Sequence, residues 1–304
     1  MKLQTETLSA CPICGGTNLR RLLVAPDHES HTGDYGIDEC ATCSAAFTNP
    51  RPLESELPKL YEGRDTTDFP RLDGIVPKLR DFAIDRYLVG QLGADSLAGC
   101  DGFSALDFGC GDGALARGIV RFARARHCPL QMTAVDFHAS APPALAVAGT
   151  DVGYQSQQEW TAKPGRYDAI FLRNVLEHHP QPLRLLGDLA ATLNPAGRLF
   201  IEVPNRRSVW ARVFGSAYSG YYVPRHLLHF DAASLHGAIE RAGMTCTSQS
   251  LAHTPLLGRS LGYLSGRDIG NTGLLGLASY PLQVAVDVAA RTSSTLRAIA
   301  TLHG

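Results

Sequence analysis

The sequence predicts an α/β fold built on a Rossmann-like, doubly wound sheet, with a small cysteine-bearing domain ahead of it. Three observations carry this. Near-continuous apolar runs such as "YDAIFLRNV" read as strands buried on both faces, and helical stretches separate them. The first such strand, Phe103 to Phe108, meets a helix through a turn with glycine at every second position, Gly109, Gly111 and Gly113. The first fifty residues, by contrast, carry two CxxC pairs joined by strand-like segments.

"CPICGG" sets Cys11 and Cys14 one turn apart, and "CATCSAAF" repeats the spacing with Cys40 and Cys43. Zn²⁺ takes four thiolates tetrahedrally at about 2.3 Å, so two such knuckles suffice to surround one ion. "LRRLLV" and "DYGIDEC" read as the hairpin that brings them together, which makes residues 1–52 a zinc ribbon. With every ligand position filled by protein, the ion is structural. A redox dithiol is the alternative, but neither pair stands at a strand-to-helix junction. Cys100, Cys110, Cys128 and Cys246 read as small buried hydrophobes.

"FTNPRPLESELPKLYEG" is an extended connector running into a short helix. A longer helix follows from Pro77, with Leu79, Phe82, Ala83 and Tyr87 on one face and Gly93 at its end. Residues 53–98 thus form a connector and helical lid, and 99–304 the main domain.

The helix after the glycine turn places Leu115, Ile119, Phe122 and Ala123 inward and Arg117, Arg121 and Arg124 outward, a solvated face. Strand, glycine turn and helix start together form a site for a nucleotide-like ligand. Ala114 satisfies the third position of a dinucleotide fingerprint. Yet Asp107 at the strand end and Asp112 in the turn repel a pyrophosphate and suit an ammonium and a sulfonium. The next strand, "QMTAVDF", ends in Asp136, placed to accept ribose hydroxyls.

"LDFGCGDGALA" followed by "TAVDF" resembles the opening motifs of class I S-adenosylmethionine-dependent methyltransferases. "YDAIFLRNVLEHHPQP" resembles their fourth strand and its loop, "LNPAGRLFIEVPN" their fifth strand, and "HLLHFDAASLHGAIERAGM" their late helix. The likeness runs over about two-thirds of the chain, in order. With the ribbon and "NPRP" in front, the whole resembles zinc-ribbon-bearing bacterial methyltransferases of small metabolites or saccharides. The core is similar to ubiquinone-biosynthesis O-methyltransferases.

The resemblance implies a seven-stranded sheet whose last strand, "STLRAIATL", runs antiparallel, and S-adenosylmethionine as cofactor. It gives Asp107, Gly109 and Gly111 to the methionine end, Asp136 to the ribose and Phe137 to the adenine. Gln157 or Gln158 would meet the adenine amine, and Asn174 would line the sulfonium side. In ubiquinone-biosynthesis enzymes an upstream acid joins the Glu-His of this loop to bind a divalent metal. Asn174 stands at that place here, which speaks against a catalytic metal.

Of the 11 histidines, four gather in two loops. His178 and His179 follow the fourth strand, at the functional edge of a parallel sheet, with Glu177 as an orienting neighbour. His226 and His229 lie in "YYVPRHLLHF". His178, His226 and His229 are the candidate bases for an acceptor hydroxyl. His179, Tyr221, Tyr222 and Arg225 are candidate acceptor contacts, the last three in an insertion near 205–230 that reads as a lid. Sugar C-methyltransferases carry Glu-His in a comparable segment, whereas Arg225 precedes His226 here, which weakens a carbanion route.

Asp231 reads as the cap of the late helix, with Gly243 past its end. The helix over 273–291 has few cations, so it is expected to pack on the core rather than rest on a membrane. A net charge of −1 argues against nucleic acid as first partner. No secretory h-region opens the sequence and no apolar run reaches the roughly 18–20 residues of a bilayer span, so a cytoplasmic protein is expected. The reading is O-methylation of a small metabolite or saccharide. Its rivals are C- or N-methylation, an RNA-modifying enzyme using the ribbon for binding, a non-catalytic scaffold and a nicotinamide oxidoreductase.

Overall fold

A computed structural model describes residues 3–61, 75–145, 151–266 and 274–303. The connector over 62–74 and the first residue of the 273–291 helix lie outside the described residues. In chain order the elements are β1 (Thr5–Glu6), β2 (Leu19–Pro26), β3 (Asp34–Cys40), β4 (Ala46–Thr48), β5 (Arg51–Pro52), α1 (Ile75–Leu92), β6 (Phe103–Phe108), α2 (Ala114–Arg124), β7 (Leu130–Asp136), β8 (Val152–Ser156) and α3 (Gln157–Ala162). There follow β9 (Tyr167–Arg173), α4 (Pro182–Ala191), β10 (Leu193–Pro204), α5 (Val209–Phe214), β11 (Leu228–His229), α6 (Ala232–Arg241), β12 (Met244–Ala252), α7 (Leu257–Ser265), α8 (Leu274–Ala289) and β13 (Thr295–Leu302).

The main sheet has seven strands in the order β12-β13-β10-β9-β6-β7-β8, with the last strand antiparallel. β6 pairs in parallel with β7 and β9, and β7 with β8. The strand ends that carry the acids and glycines therefore share one edge of the sheet. A four-stranded sheet, β11-β4-β3-β2, contains the cysteine hairpin, and β1 pairs with β5.

The chain divides into two compact units. One comprises 1–62, 174–187 and 201–300; the other comprises 63–173, 188–200 and 301–304. In the first, Tyr35 and Ile37 of the hairpin share a core with Trp210, Phe214, Tyr218 and Leu257. In the second, Phe171 stacks on Phe200 at 4.9 Å, and the inner face of α2 is buried as the sequence predicts. Asp231 caps α6 by accepting from Ser234 N–H, and Gly243 takes φ +80° past its end.

Two local expectations are corrected. On α1 the buried face is Ile84, Tyr87, Leu88 and Leu92, while Leu79 and Phe82 are exposed. The stripe turns because α2 presents Gly118, where a Cβ would meet Ile84 at 2.4 Å and Leu88 at 3.6 Å. Cys100 and Cys128, expected as small buried hydrophobes, form a disulfide with Cα atoms 5.3 Å apart. They precede β6 and β7, whose parallel register, Phe103 opposite Leu130, brings them side by side.

Candidate functional site

The glycine turn lies wholly in the second unit. Gly109 and Cys110 N–H both donate to Val135 O, at 2.8 and 2.9 Å, folding the turn across the end of β7. Gly109, Gly111 and Gly113 sit at φ +79°, +53° and +74°, a region costly for side-chain-bearing residues. The last two differ in purpose. A Cβ on Gly113 would lie 2.5 Å from Leu145, whereas one on Gly111 meets nothing within 4 Å. Gly113 serves packing; Gly111 leaves open space.

Asp136 accepts from Gly111 N–H at 2.8 Å and from its neighbour Phe137 N–H at 2.9 Å. With a further backbone hydrogen bond from His138, the carboxylate still has lone-pair capacity for a ligand hydroxyl. Asp107 is 2% exposed, and its Oδ2 has no hydrogen-bond partner among the described residues. Burial pushes its carboxyl up to about 7; Arg173 opposes the shift and the Asp136 charge adds to it. An acid with one unsatisfied buried oxygen is a fitting seat for a ligand ammonium. Asp112 is already committed: it pairs with Arg80 and accepts from Ala114 N–H at 3.1 Å. Phe137 is exposed, with its ring 3.9 Å from that of His138. Gln157 and Gln158 open α3 behind a capping box of Ser156 and Glu159. Asn174 belongs to the first unit, at φ +52°, with its N–H donating to Glu202 O at 2.8 Å.

His178, His179, His226 and His229 lie in the first unit. His226 is buried, and its Nδ1 lies 2.9 Å from Gly220 O. A carbonyl only accepts, so Nδ1 carries the proton and Nε2 the lone pair. That Nε2 is 3.9 Å from Glu177 Oε1. Both Glu177 oxygens are buried without hydrogen-bond partners among the described residues, and burial pushes this acid up to about 8. His178 Nδ1 is 3.0 Å from Arg225 O and 3.0 Å from Tyr61 Oη. Burial drives His178 down to about 4 and His226 well below the usual histidine range, so both rings are neutral at pH 7. Burial likewise takes His229 to about 3, and its Nε2 is 3.1 Å from Thr48 Oγ1.

The structure thus brings His178, His226 and Tyr222 together, with ring centroids 4.5 Å (His178–His226) and 5.1 Å (Tyr222–His226) apart. Arg225 is buried and its Nη2 is spent on Ser30 Oγ and Leu60 O, both at 2.7 Å. Tyr221 is buried with its ring 5.4 Å from His229, and His179 Nδ1 accepts from Gln181 N–H at 3.1 Å. Tyr61 and Thr48 escaped sequence reasoning, since each reaches its histidine only through tertiary contact. The "NPRP" stretch beside Thr48 was the one available signal.

The four cysteine Sγ atoms lie within 4.8 Å of one another, with Cys11–Cys43 and Cys14–Cys40 each at 3.5 Å. A tetrahedron of thiolates 2.3 Å from an ion has edges of about 3.8 Å, so the donors fit zinc. The knuckles match: Gly15 (φ +73°) and Ser44 (φ +60°) each donate N–H to the carbonyl of the first cysteine, at 2.9 Å. A Cβ on Gly16 would crowd Cys40 Sγ at 3.2 Å and Cys14 Sγ at 3.3 Å. Glu177, His178 and His226 form a second group of possible donor atoms, also within 4.8 Å of one another.

An acid-framed glycine turn at the edge of a mostly parallel seven-stranded sheet defines an α/β protein with a nucleotide-type ligand site. Residues 77–249 match the methyltransferase-domain family, more than half of the 304-residue chain, and the chain belongs to that family. The ubiquinone biosynthesis O-methyltransferase of Xanthomonas campestris pv. campestris (strain B100) is 31% identical over 141 residues, 42% of this chain and 55% of the relative. The protein of that name from Aeromonas salmonicida (strain A449) is 28% identical over 172 residues, 52% of this chain and 70% of the relative. The first match spans little more than half of the relative's length. Magnesium protoporphyrin IX methyltransferase from Synechocystis PCC 6803, solved with bound SAH, has a TM-score of 0.49 at 13% identity, covering 83% of this chain and 100% of that one. Among the described residues no helix is long and apolar enough to cross a membrane.

Proposed function

We propose that the chain is an S-adenosylmethionine-dependent methyltransferase acting on a hydroxyl oxygen of a small metabolite or saccharide. The observation that carries the reading is the buried Asp107 carboxyl, its Oδ2 without a partner among the described residues, at the strand end that leads into the open backbone at Gly111. Asp107 would take the ammonium, Asp136 the ribose hydroxyls and Phe137 the adenine. Gln157 or Gln158 would meet the adenine amine, and Asn174 the sulfonium side. When bound, the donor supplies a methyl group on a sulfonium. His226 Nε2, unprotonated and near Glu177, takes the acceptor proton, and His178 and Tyr222 position the ring or chain that bears it. Residues 1–52 hold a structural zinc, 53–98 connect, and 99–304 form the transferase domain; the 205–230 segment expected as a lid is instead largely core, with Trp210, Phe214, Tyr218 and Tyr221 buried.

Calorimetry with S-adenosylmethionine tests the donor half: binding by the wild type and its loss in Asp107→Asn are expected. A panel of hydroxylated metabolites and saccharides tests the rest, with turnover lost in His226→Ala. A wild type that does not bind the donor overturns the reading.

A further inference from the structure

The cysteine hairpin and the histidine loop are one construction. Thr48, fully buried on β4, donates its N–H to Leu227 O at 3.0 Å. Its Oγ1 is 2.6 Å from His226 O and 3.1 Å from His229 Nε2. A hydroxyl has one proton, and the His226 carbonyl can only accept it. Toward His229 the same oxygen must therefore accept, which fixes the proton of that ring on Nε2. His229 Nδ1 is left buried and without a partner among the described residues. Around this contact β11 pairs with β4, Leu228 opposite Phe47 and His229 opposite Ala46.

A second tie runs to the cysteine knuckle itself. Buried Arg206 Nη2 lies 2.7, 2.6 and 2.6 Å from Glu39 Oε1, Ser44 O and Asp231 Oδ2, its two protons shared among the three acceptors. Glu39 precedes Cys40, Ser44 follows Cys43, and Asp231 caps α6. The chain between Leu227 and Asp231 is thus held to the hairpin at both ends.

We propose that Thr48 is a positioning residue of the acceptor site, its hydroxyl setting the backbone at His226 and the ring tautomer of His229. It follows that the metal knuckle frames the acceptor site rather than serving as a detached recruiting module. The inference rests on the reading above only in giving His226 a chemical role; the tautomers can be seen without it.

The test is a long-range ¹H–¹⁵N spectrum of the zinc-loaded, full-length chain labelled at histidine. In the wild type, His229 is expected as the Nε2–H tautomer and His226 as the Nδ1–H tautomer. Thr48→Val keeps the shape and removes the hydroxyl. It is expected to release the His229 tautomer and shift the His226 ring signals, with zinc content and donor affinity within twofold of the wild type. Thr48→Ser is expected to restore the wild-type spectrum. With an acceptor from the panel, kcat of Thr48→Val falls tenfold or more while the donor KM holds. Unchanged His226 and His229 signals in Thr48→Val overturn the proposal. So does an Nδ1–H tautomer of His229 in the wild type, which decides the matter even if the variant does not fold. Absence of donor binding in the wild type removes the proposed function and leaves this result standing.

Discussion

The glycine turn and the histidine loop are built in opposite ways. The turn is nearly contiguous: Asp107 to Gly113, with Asp136 arriving on the neighbouring strand. Its polar groups are backbone amides and three acids, Asp107, Asp112 and Asp136, with open space beside Gly111. The histidine loop gathers Thr48, Tyr61, Glu177, His178 and His226 from distant stretches and buries most of their polar atoms. A ligand site made by local backbone geometry survives small changes elsewhere. One assembled by tertiary contact depends on every element that contributes to it.

That contrast predicts where damage falls hardest. Removing the metal or making Cys40→Ser is expected to have the largest effect, since structural zinc contributes about 10 kcal/mol to small metal-bound folds. Hydrogen exchange should show protection lost across the hairpin and the 220–230 loop, while 105–136 stays protected and the donor still binds. Uniform loss in both regions would erase the comparison.

Next is Asp107→Asn. A hydrogen bond to a charged group is worth about 1.5–3 kcal/mol, so donor affinity should fall roughly 10- to 150-fold by calorimetry. The pH dependence sharpens it. With its carboxyl raised to about 7, Asp107 takes up a proton below that pH and loses its attraction for an ammonium, so wild-type affinity should weaken as pH falls through 7. The variant should show no such slope. Stability moves the other way. Between the unfolded carboxyl's pKa of about 4 and 7 the folded state binds the extra proton, so this group costs stability as pH rises. Asp107→Asn should therefore raise the melting temperature of the donor-free protein at pH 7.5.

A third prediction concerns the base. Because burial holds His226 well below the usual histidine range, its ring should add no acid limb of its own to kcat/KM; a limb near 7 from Asp107 should vanish in Asp107→Asn, while one near 8 that survives belongs to Glu177. Metal analysis bears on the same residue. One zinc per chain, insensitive to His226→Ala, is expected. A second ion lost in that variant would make Glu177, His178 and His226 ligands and end the role of His226 as proton acceptor.

What could be read from the sequence follows the same division. The buried strands, the cysteine pairs, the glycine turn and the Asp231 cap are written in short windows, where spacing and residue type determine geometry. The inward face of α1 was not, because its apolar residues admit two stripes and Gly118 on α2 makes room for Ile84 and Leu88. The Cys100–Cys128 disulfide depends on the β6–β7 register, which no window contains. Glu177 could be read only as a neighbour of His178. Its place beside His226 required the chain to fold first.

The finest distinction separates two glycines of a single motif. Both Gly111 and Gly113 hold left-handed backbone, so alanine at either costs roughly 1–2 kcal/mol for conformation alone. Gly113→Ala must also displace Leu145 from 2.5 Å, adding about 1–3 kcal/mol of overpacking, and should lower the melting temperature further. Gly111→Ala projects its methyl into the space the donor would use, and should weaken donor binding more than Gly113→Ala does. Equal binding losses in the two variants, after correction for their stabilities, would mean that the open side of the turn is not where the donor approaches.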